Sequence, residues 1–185
     1  MPAPAPNRRI RSFRRRWIAA LIACLLAPPG AAAATSLKDI QIGIRGVEFM
    51  VDPPRGQVEV AIIDDGQNKA SVQDAQSIVG WLAAAKGTKV EFVPMLTDVH
   101  GLEKAASFRI AIIAAGMESH FAEILDFARR HNTLTITADL ACVRIGACVL
   151  GVATEPNVEV IVSRQASATC GVDFVRAFRM MVKEY

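Results

Sequence analysis

The segment Val58-Glu59-Val60-Ala61-Ile62-Ile63, followed by the turn residues Asp64-Asp65-Gly66, decides the fold of this chain. It is a nearly continuous apolar run and does not alternate between polar and apolar positions. Runs of this kind are typical of strands that are buried on both faces, as in a parallel sheet covered on both sides. The segment therefore predicts an α/β protein.

Strand and helix patterns alternate along the chain after this segment. Apolar residues recur at helical spacing from Ser71, and Gly87 is the predicted end of that helix. The elements predicted next are a strand over Lys89–Val93 that Pro94 stops, a short helix over Asp98–Ala106, a central strand over Phe108–Ala114, a helix around residues 121–130 and a strand over Leu134–Thr137. This alternation predicts right-handed crossovers and an open, mostly parallel, doubly wound sheet with helices on both faces.

The two ends of the domain follow other patterns. Leu37, Ile40, Ile44 and Val47 predict an opening helix, although Gly43 and Gly46 each weaken it by about 1 kcal/mol relative to alanine. Two strands over Ala147–Val152 and Val158–Val162, joined by five polar or small residues, predict a hairpin. A terminal helix from Gly171 to Lys183 is predicted to bury Val172, Val175, Phe178 and Val182.

The first 34 residues have the three parts of a signal peptide. Six arginines between Arg8 and Arg16 precede a short apolar run, Trp17–Ala27, and four alanines follow. The run is shorter than the roughly 20 residues that span a bilayer. We therefore predict a signal peptide over residues 1–34, cleaved near Ala33 or Ala34, followed by a single domain over residues 35–185 and export to the periplasm.

A second processing site overlaps this leader. Leu21-Ile22-Ala23-Cys24 is similar to a bacterial lipobox, in which the cysteine is lipidated and becomes the first mature residue. Leu25, Leu26 and Ala27 continue the apolar run beyond Cys24, and an A-x-A site follows. These flanking residues favour the soluble product over lipid anchoring at Cys24.

The basic character of the chain belongs to the leader. The formal charge of the whole chain is +3, but without the six leader arginines the 21 basic residues fall to 15 against 18 acidic ones. No run of lysine and arginine remains to neutralise phosphates. The composition therefore argues against nucleic acid as a partner.

Polar residues follow three of the predicted strands. In open α/β sheets, ligands lie beyond the carboxyl ends of the strands, so these loops are candidates for ligand or partner contacts. The candidates are Asp64, Asp65 and Asn68 after the first strand, Glu118 and Ser119 after the third, and Asp139 after the fourth. For the aspartates that follow the first strand, helix capping is the competing interpretation.

No motif predicts catalysis, a metal or a cofactor. His100, His120 and His131 have no zinc-binding spacing, and no nucleophile elbow, phosphate-binding loop or dinucleotide fingerprint is present. Ser119 and His120 are adjacent in sequence, which is not evidence of a nucleophile and its base. We therefore expect a non-enzymatic protein, with a hydrolase that uses Ser119 and His120 as a distant alternative.

Three cysteines follow the leader. Cys142 and Cys148 flank a five-residue stretch containing Gly146, and a bridge between them would stabilise the fold by roughly 2–3 kcal/mol. An exported compartment permits this disulfide. We predict the Cys142–Cys148 pair, with two unpaired thiols or a bridge through Cys170 as alternatives. A redox enzyme is disfavoured because the spacing is not Cys-x-x-Cys.

The domain resembles the YfiR family of exported regulators. The resemblance rests on short motifs spread over most of the domain: Ile110–Glu118, Leu134–Asp139, Gly146–Val149, a closing pattern from Val160 through Gly171-Val172 to Phe174 and, more loosely, Leu37–Met50. The chain departs from the family pattern at Ala147, at Ser163 and at Val175-Arg176.

The resemblance implies a function that the residues alone do not show. Members of the family are non-enzymatic periplasmic proteins that bind the sensor region of a membrane-bound diguanylate cyclase, often as dimers with redox-sensitive cysteines. By similarity, we expect this protein to repress cyclic-di-GMP signalling from the periplasm, with homodimerisation and a redox switch at Cys142 and Cys148. The alternative is a periplasmic small-molecule binding protein with a single lobe.

Overall fold

The computed structural model describes residues 34–85 and 90–185. The predicted signal peptide lies outside these residues except for Ala34. Cys24, the predicted helix end at Gly87 and the predicted strand start at Lys89 also lie outside them. Within the described residues, no helix is long and apolar enough to cross a membrane.

Within residues 34–85 and 90–185, seven strands form one sheet in the order β2-β1-β3-β4-β5-β6-β7. They are β1 (Gly56–Asp64), β2 (Val90–Asp98), β3 (Ile110–Ile113), β4 (Leu134–Thr137), β5 (Leu150–Ala153), β6 (Glu159–Val162) and β7 (Lys183–Glu184). Strands β1 to β5 pair in parallel, β6 runs antiparallel to β5, and β7 pairs in parallel with β6. The predicted α/β class, the mostly parallel sheet and the hairpin are confirmed.

Helices cover both faces of the sheet. They are α1 (Leu37–Val47), α2 (Lys69–Ala84), α3 (Phe121–His131), α4 (Leu140–Arg144), α5 (Arg164–Cys170) and α6 (Arg176–Arg179), with 3₁₀ helices at Val99–Lys104 and Glu118–His120. Successive residues of β1 face opposite sides: Val60 and Ile62 lie in a core with α1 and α2, and Ala61 and Ile63 lie in a second core with α3. The sheet is therefore doubly wound, as predicted.

The opening helix is present despite its two glycines. Its first turn has a capping box, in which the Ser36 hydroxyl accepts from the Asp39 amide at 3.1 Å and the Asp39 carboxylate accepts from the Ser36 amide at 2.8 Å. A Cβ at Gly43 would lie 2.7 Å from Cγ2 of Ile136 on β4. The glycine therefore lets α1 approach the sheet closely, and this packing compensates for its low helix propensity.

The prediction that Pro94 stops the second strand is wrong. Strand β2 continues through Pro94 to Asp98, paired with β1 along its whole length. It lies at the edge of the sheet, where no strand from the described residues pairs with its outer side. Proline is tolerated in edge strands because its missing N–H costs no central ladder hydrogen bond.

The predicted helix from Gly171 to Lys183 is also wrong. A helix does follow the hairpin, but it is α5, and Gly171 ends it with a φ of +63°, a conformation that glycine adopts readily. The chain then makes an isolated bridge between Phe174 and Met50, the single turn of α6, and strand β7. Val172 and Phe178 are buried as predicted, Val182 is half-buried, and Val175 is exposed.

Candidate functional site

The order of the strands places a crevice at the carboxyl ends of β1 and β3. From β1 the chain crosses by α2 to β2 on one side, and it then returns past β1 to β3 on the other side. Connections that leave neighbouring strands in opposite directions open a crevice at this point, and α/β proteins bind ligands there. The loops that border the crevice are residues 64–68 and 114–120.

Asp64 and Asp65 follow β1 in two different environments. Asp64 is buried, and this burial raises its pKa, with smaller contributions from the nearby charges of Asp98 and Asp65. Asp65 accepts a hydrogen bond from the Gln67 amide at 2.9 Å, which lowers its pKa, and His120 and His100 lower it further. Two adjacent carboxyl groups therefore have pKa values shifted in opposite directions, a common feature of functional sites.

His100 and His120 contact Asp65 and form what we call the aspartate–histidine cluster: Asp65, His100 and His120. Nε2 of His100 lies 3.5 Å from Oδ1 of Asp65, and Nε2 of His120 lies 3.7 Å from Oδ2. The two imidazole rings meet edge to face with their centroids 5.2 Å apart. Each member follows the carboxyl end of a different strand, β1, β2 or β3.

Asn68 and Asp139, which the sequence analysis proposes as binding residues, cap helices. Asn68 Oδ1 accepts from the Ala70 amide at 3.0 Å at the start of α2. Asp139 Oδ1 accepts from the Ala141 amide at 2.8 Å at the start of α4. Each side chain satisfies an amide that has no partner inside its helix, which gives it a structural role.

Glu118 and Ser119 lie in the short 3₁₀ helix after β3, and both are exposed. Glu118 and Asp139 line the same small cleft, of about 140 Å³, together with Thr35 and Ala115. The structure thus divides the predicted site residues: Asp64 and Asp65 belong to the crevice with the histidines, and Glu118 and Asp139 border a separate cleft.

The hydroxyl of Ser119 makes no hydrogen bond with the ring of His120 in the described part of the chain. The 3.7 Å approach of His120 Nε2 to Asp65 is the contact that the structure shows for this ring nitrogen. A serine nucleophile needs a base within about 2.6–3.2 Å. The geometry gives the hydrolase alternative no support.

The predicted disulfide between Cys142 and Cys148 is present, with the two Cα atoms 5.3 Å apart. It joins α4 to the segment before β5, and both cysteines are fully buried in the second core. Exposed or strained disulfides are the readily reduced ones. The burial of this pair favours a structural role over the expected redox switch.

Cys170 is a buried free thiol at the end of α5. Burial raises its pKa to about 11, so at pH 8 about one molecule in a thousand carries the reactive thiolate. We expect Cys170 in the folded protein to resist iodoacetamide at pH 8 and to react within minutes in denaturant, as mass spectrometry of its peptide would show. Rapid labelling of the folded protein would contradict this burial.

An exposed methionine pair, Met180 and Met181, lies between α6 and β7. Their side chains are 77% and 68% exposed, and the Met181 amide donates to the carbonyl of Phe178 at 2.9 Å. Phe178 itself is buried and packs on Phe49 and Phe174, with ring centroids 4.9 and 5.1 Å away. The pair is therefore held on an anchored backbone with its apolar side chains in water.

Comparison with known proteins bears on the fold alone. No protein-family model matches the chain, and no curated protein matches it. Among solved structures, a conserved domain protein from Vibrio cholerae O1 biovar eltor is similar, with a TM-score of 0.56 and 9% sequence identity. The alignment covers 80% of this chain and 59% of the Vibrio chain. At this identity the similarity supports the α/β fold and says nothing about activity.

Proposed function

We propose that this protein is an exported, non-enzymatic regulator that binds the periplasmic sensor region of an inner-membrane diguanylate cyclase and holds the enzyme inactive. The observation that carries the proposal is the exposed methionine pair. Met180 and Met181 are adjacent in sequence and are 77% and 68% exposed, and apolar side chains that are exposed together can mark a site of association. Methionine is flexible and polarisable, which suits it to surfaces that bind other proteins.

Other features agree with this proposal. The leader pattern of residues 1–34 and the buried disulfide are compatible with export, since disulfides persist in oxidising compartments. The resemblance to the YfiR family supplies the class of partner.

We expect replacement of both Met180 and Met181 with aspartate to weaken partner binding at least tenfold. The two carboxylates would have to lose their hydration on entering an apolar contact, which is costly without compensating partners. The measurement is a pull-down from solubilised inner membranes at physiological salt. The captured cyclase or sensor is identified by mass spectrometry, and its affinity is then measured with the purified sensor region.

The control is Leu96→Asp, which places a charge at a 56% exposed apolar position on β2, at the far edge of the sheet. It should bind as the unmodified protein does. Recovery of no membrane signalling protein would contradict the regulator proposal. Capture of a cyclase that binds the methionine variant and the unmodified protein equally well would exclude the methionine pair as the contact surface. It would leave the regulator proposal standing. A large thermal stabilisation by a single metabolite, without capture of any membrane protein, would favour the single-lobe binding protein.

A further inference from the structure

The aspartate–histidine cluster has the composition of a transition-metal site. One carboxylate oxygen of Asp65 and one ring nitrogen from each histidine lie within 4.8 Å of one another. Zinc binds imidazole nitrogen and carboxylate oxygen at about 2.0–2.2 Å, so neighbouring ligand atoms in a tetrahedral site are about 3.4 Å apart. The separations of 3.5 Å from His100 Nε2 to Asp65 Oδ1 and of 3.7 Å from His120 Nε2 to Asp65 Oδ2 are close to this value, so each histidine approaches a different oxygen of the carboxylate.

Hydrogen bonds fix the backbone at each of the three proposed ligands. The Asp65 carboxylate is oriented by the Gln67 amide, and the Asp65 amide donates to the hydroxyl of Ser71 at 3.1 Å. The His100 amide donates to Asp98 Oδ1 at 3.0 Å, and the His120 amide donates to the carbonyl of Met117 at 2.9 Å. Because the three residues lie on fixed backbone after the strand ends, binding of an ion requires only small rotations of their side chains.

The charge around the cluster favours a cation. The charges of Asp98 and Asp65 both act on Asp64, so three carboxyl groups lie close together at this edge of the sheet. A cleft of about 570 Å³ beside His100 and His120 is also lined by acidic residues, Glu103, Glu123 and Asp126. Asp126 pairs with Arg129 at 2.6 Å and with Arg130 at 3.0 Å, so the excess negative charge of this lining comes from Glu103 and Glu123. The local field is therefore negative.

The exposures of the side chains suggest an open coordination position. Asp65 and His120 are each 16% exposed, and His100 is 45% exposed. Three protein ligands with one side open to water leave room for a fourth ligand, either a water molecule or a donor from another molecule. Imidazole ligands select zinc and the later transition metals over magnesium and calcium, which prefer oxygen donors.

We propose that Asp65, His100 and His120 form a binding site for one zinc-class divalent transition-metal ion at the crevice between β1 and β3. This inference does not depend on the regulatory function proposed above. It also differs from the expectation of no metal, which rested on the spacing of the histidines in sequence. The folded chain brings His100 and His120 together although 20 residues separate them.

Titration of Zn²⁺ into the purified, EDTA-treated protein without a histidine tag tests the proposal. Isothermal calorimetry should show one ion per chain with a dissociation constant in the micromolar range or below, and Mg²⁺ should give no signal. Single replacement of His100, His120 or Asp65 with alanine should weaken binding at least tenfold. Bound Co²⁺ should give a visible absorption spectrum that each of these variants loses.

His131→Gln is the matched control, since His131 packs on Phe127 with ring centroids 4.8 Å apart and lies outside the cluster. It should keep the affinity of the unmodified protein. Near-ultraviolet circular dichroism would verify that each variant is folded. Binding that is weaker than millimolar, or equal losses in the cluster and control variants, would overturn the proposal. So would unchanged binding in the His100 and His120 variants.

Discussion

Replacement of Asp74 with alanine is expected to lower the free energy of unfolding by about 3 kcal/mol. Asp74 lies on the buried side of α2 and accepts three hydrogen bonds from two distant segments. Its oxygens accept from the Thr35 amide at 2.9 Å, the Thr35 hydroxyl at 2.7 Å and the Ala115 amide at 2.8 Å. Truncation leaves these donors without their charged acceptor, and at least the Thr35 groups are buried.

Urea unfolding followed by circular dichroism would measure this change. The control is Asp126→Ala, which removes a half-exposed aspartate whose ion pairs with Arg129 and Arg130 lie on the surface of α3. Surface pairs of this kind contribute about 0–1 kcal/mol. Asp74→Asn should fall between the two variants, because one oxygen remains to accept. Equal effects of Asp74→Ala and Asp126→Ala would show that the three hydrogen bonds contribute little.

Replacement of both Cys142 and Cys148 with alanine is expected to lower the free energy of unfolding by about 2 kcal/mol, since a short cross-linked loop restricts the unfolded chain. The backbone of this loop has hydrogen bonds of its own. The amides of Ala147 and Cys148 donate to the Cys142 carbonyl at 2.9 and 3.1 Å. We therefore expect a folded but less stable variant, with most of the loss arising from the larger freedom of its unfolded state.

The same denaturation experiment distinguishes a structural bond from a redox switch. The folded protein should retain the disulfide in mild reductant, because both sulfur atoms belong to fully buried residues. The reduced protein and the double alanine variant should then show similar midpoints once reduction is forced in denaturant. Complete reduction of the folded protein within minutes, with a change in partner affinity, would instead support the redox switch that the family resemblance implies.

Local sequence patterns correctly predicted those strands and helices that bury an apolar run or an apolar face. The apolar runs of β1, β3 and β4 and the periodicity of α1 to α3 correspond to buried faces, so burial and pattern agree. The order of the strands could not be predicted from them. The error at Pro94 follows from this, because proline stops a central strand but not an edge strand. Gly171 was misassigned because the sequence analysis placed it at the start of a helix, whereas a glycine with positive φ commonly ends one.

The candidate site was predicted in part. Asp64 and Asp65 were identified because they follow the carboxyl end of the first predicted strand, and they do lie at the crevice. His100 and His120 were set aside because their spacing fits no local metal motif. Their contact with Asp65 arises from three strand ends meeting at one edge, which no sequence window contains. The position of His120 in the loop after the predicted strand over Phe108–Ala114 was the available signal. His100 gave none, because it fell inside the predicted helix over Asp98–Ala106 once the preceding strand was ended at Val93. Nothing in the sequence marked Asp74.

The edge position of Pro94 also limits how copies of this chain can associate. Residues 90–96 contain a run of strand-forming side chains, and Met95 and Leu96 are exposed on it. Such an edge would ordinarily recruit a strand from another molecule and promote aggregation, but a proline removes one of the donors required. At the opposite edge, β7 is two residues long and offers little backbone for cross-chain pairing. Fibril-like growth through the sheet is therefore disfavoured at both ends.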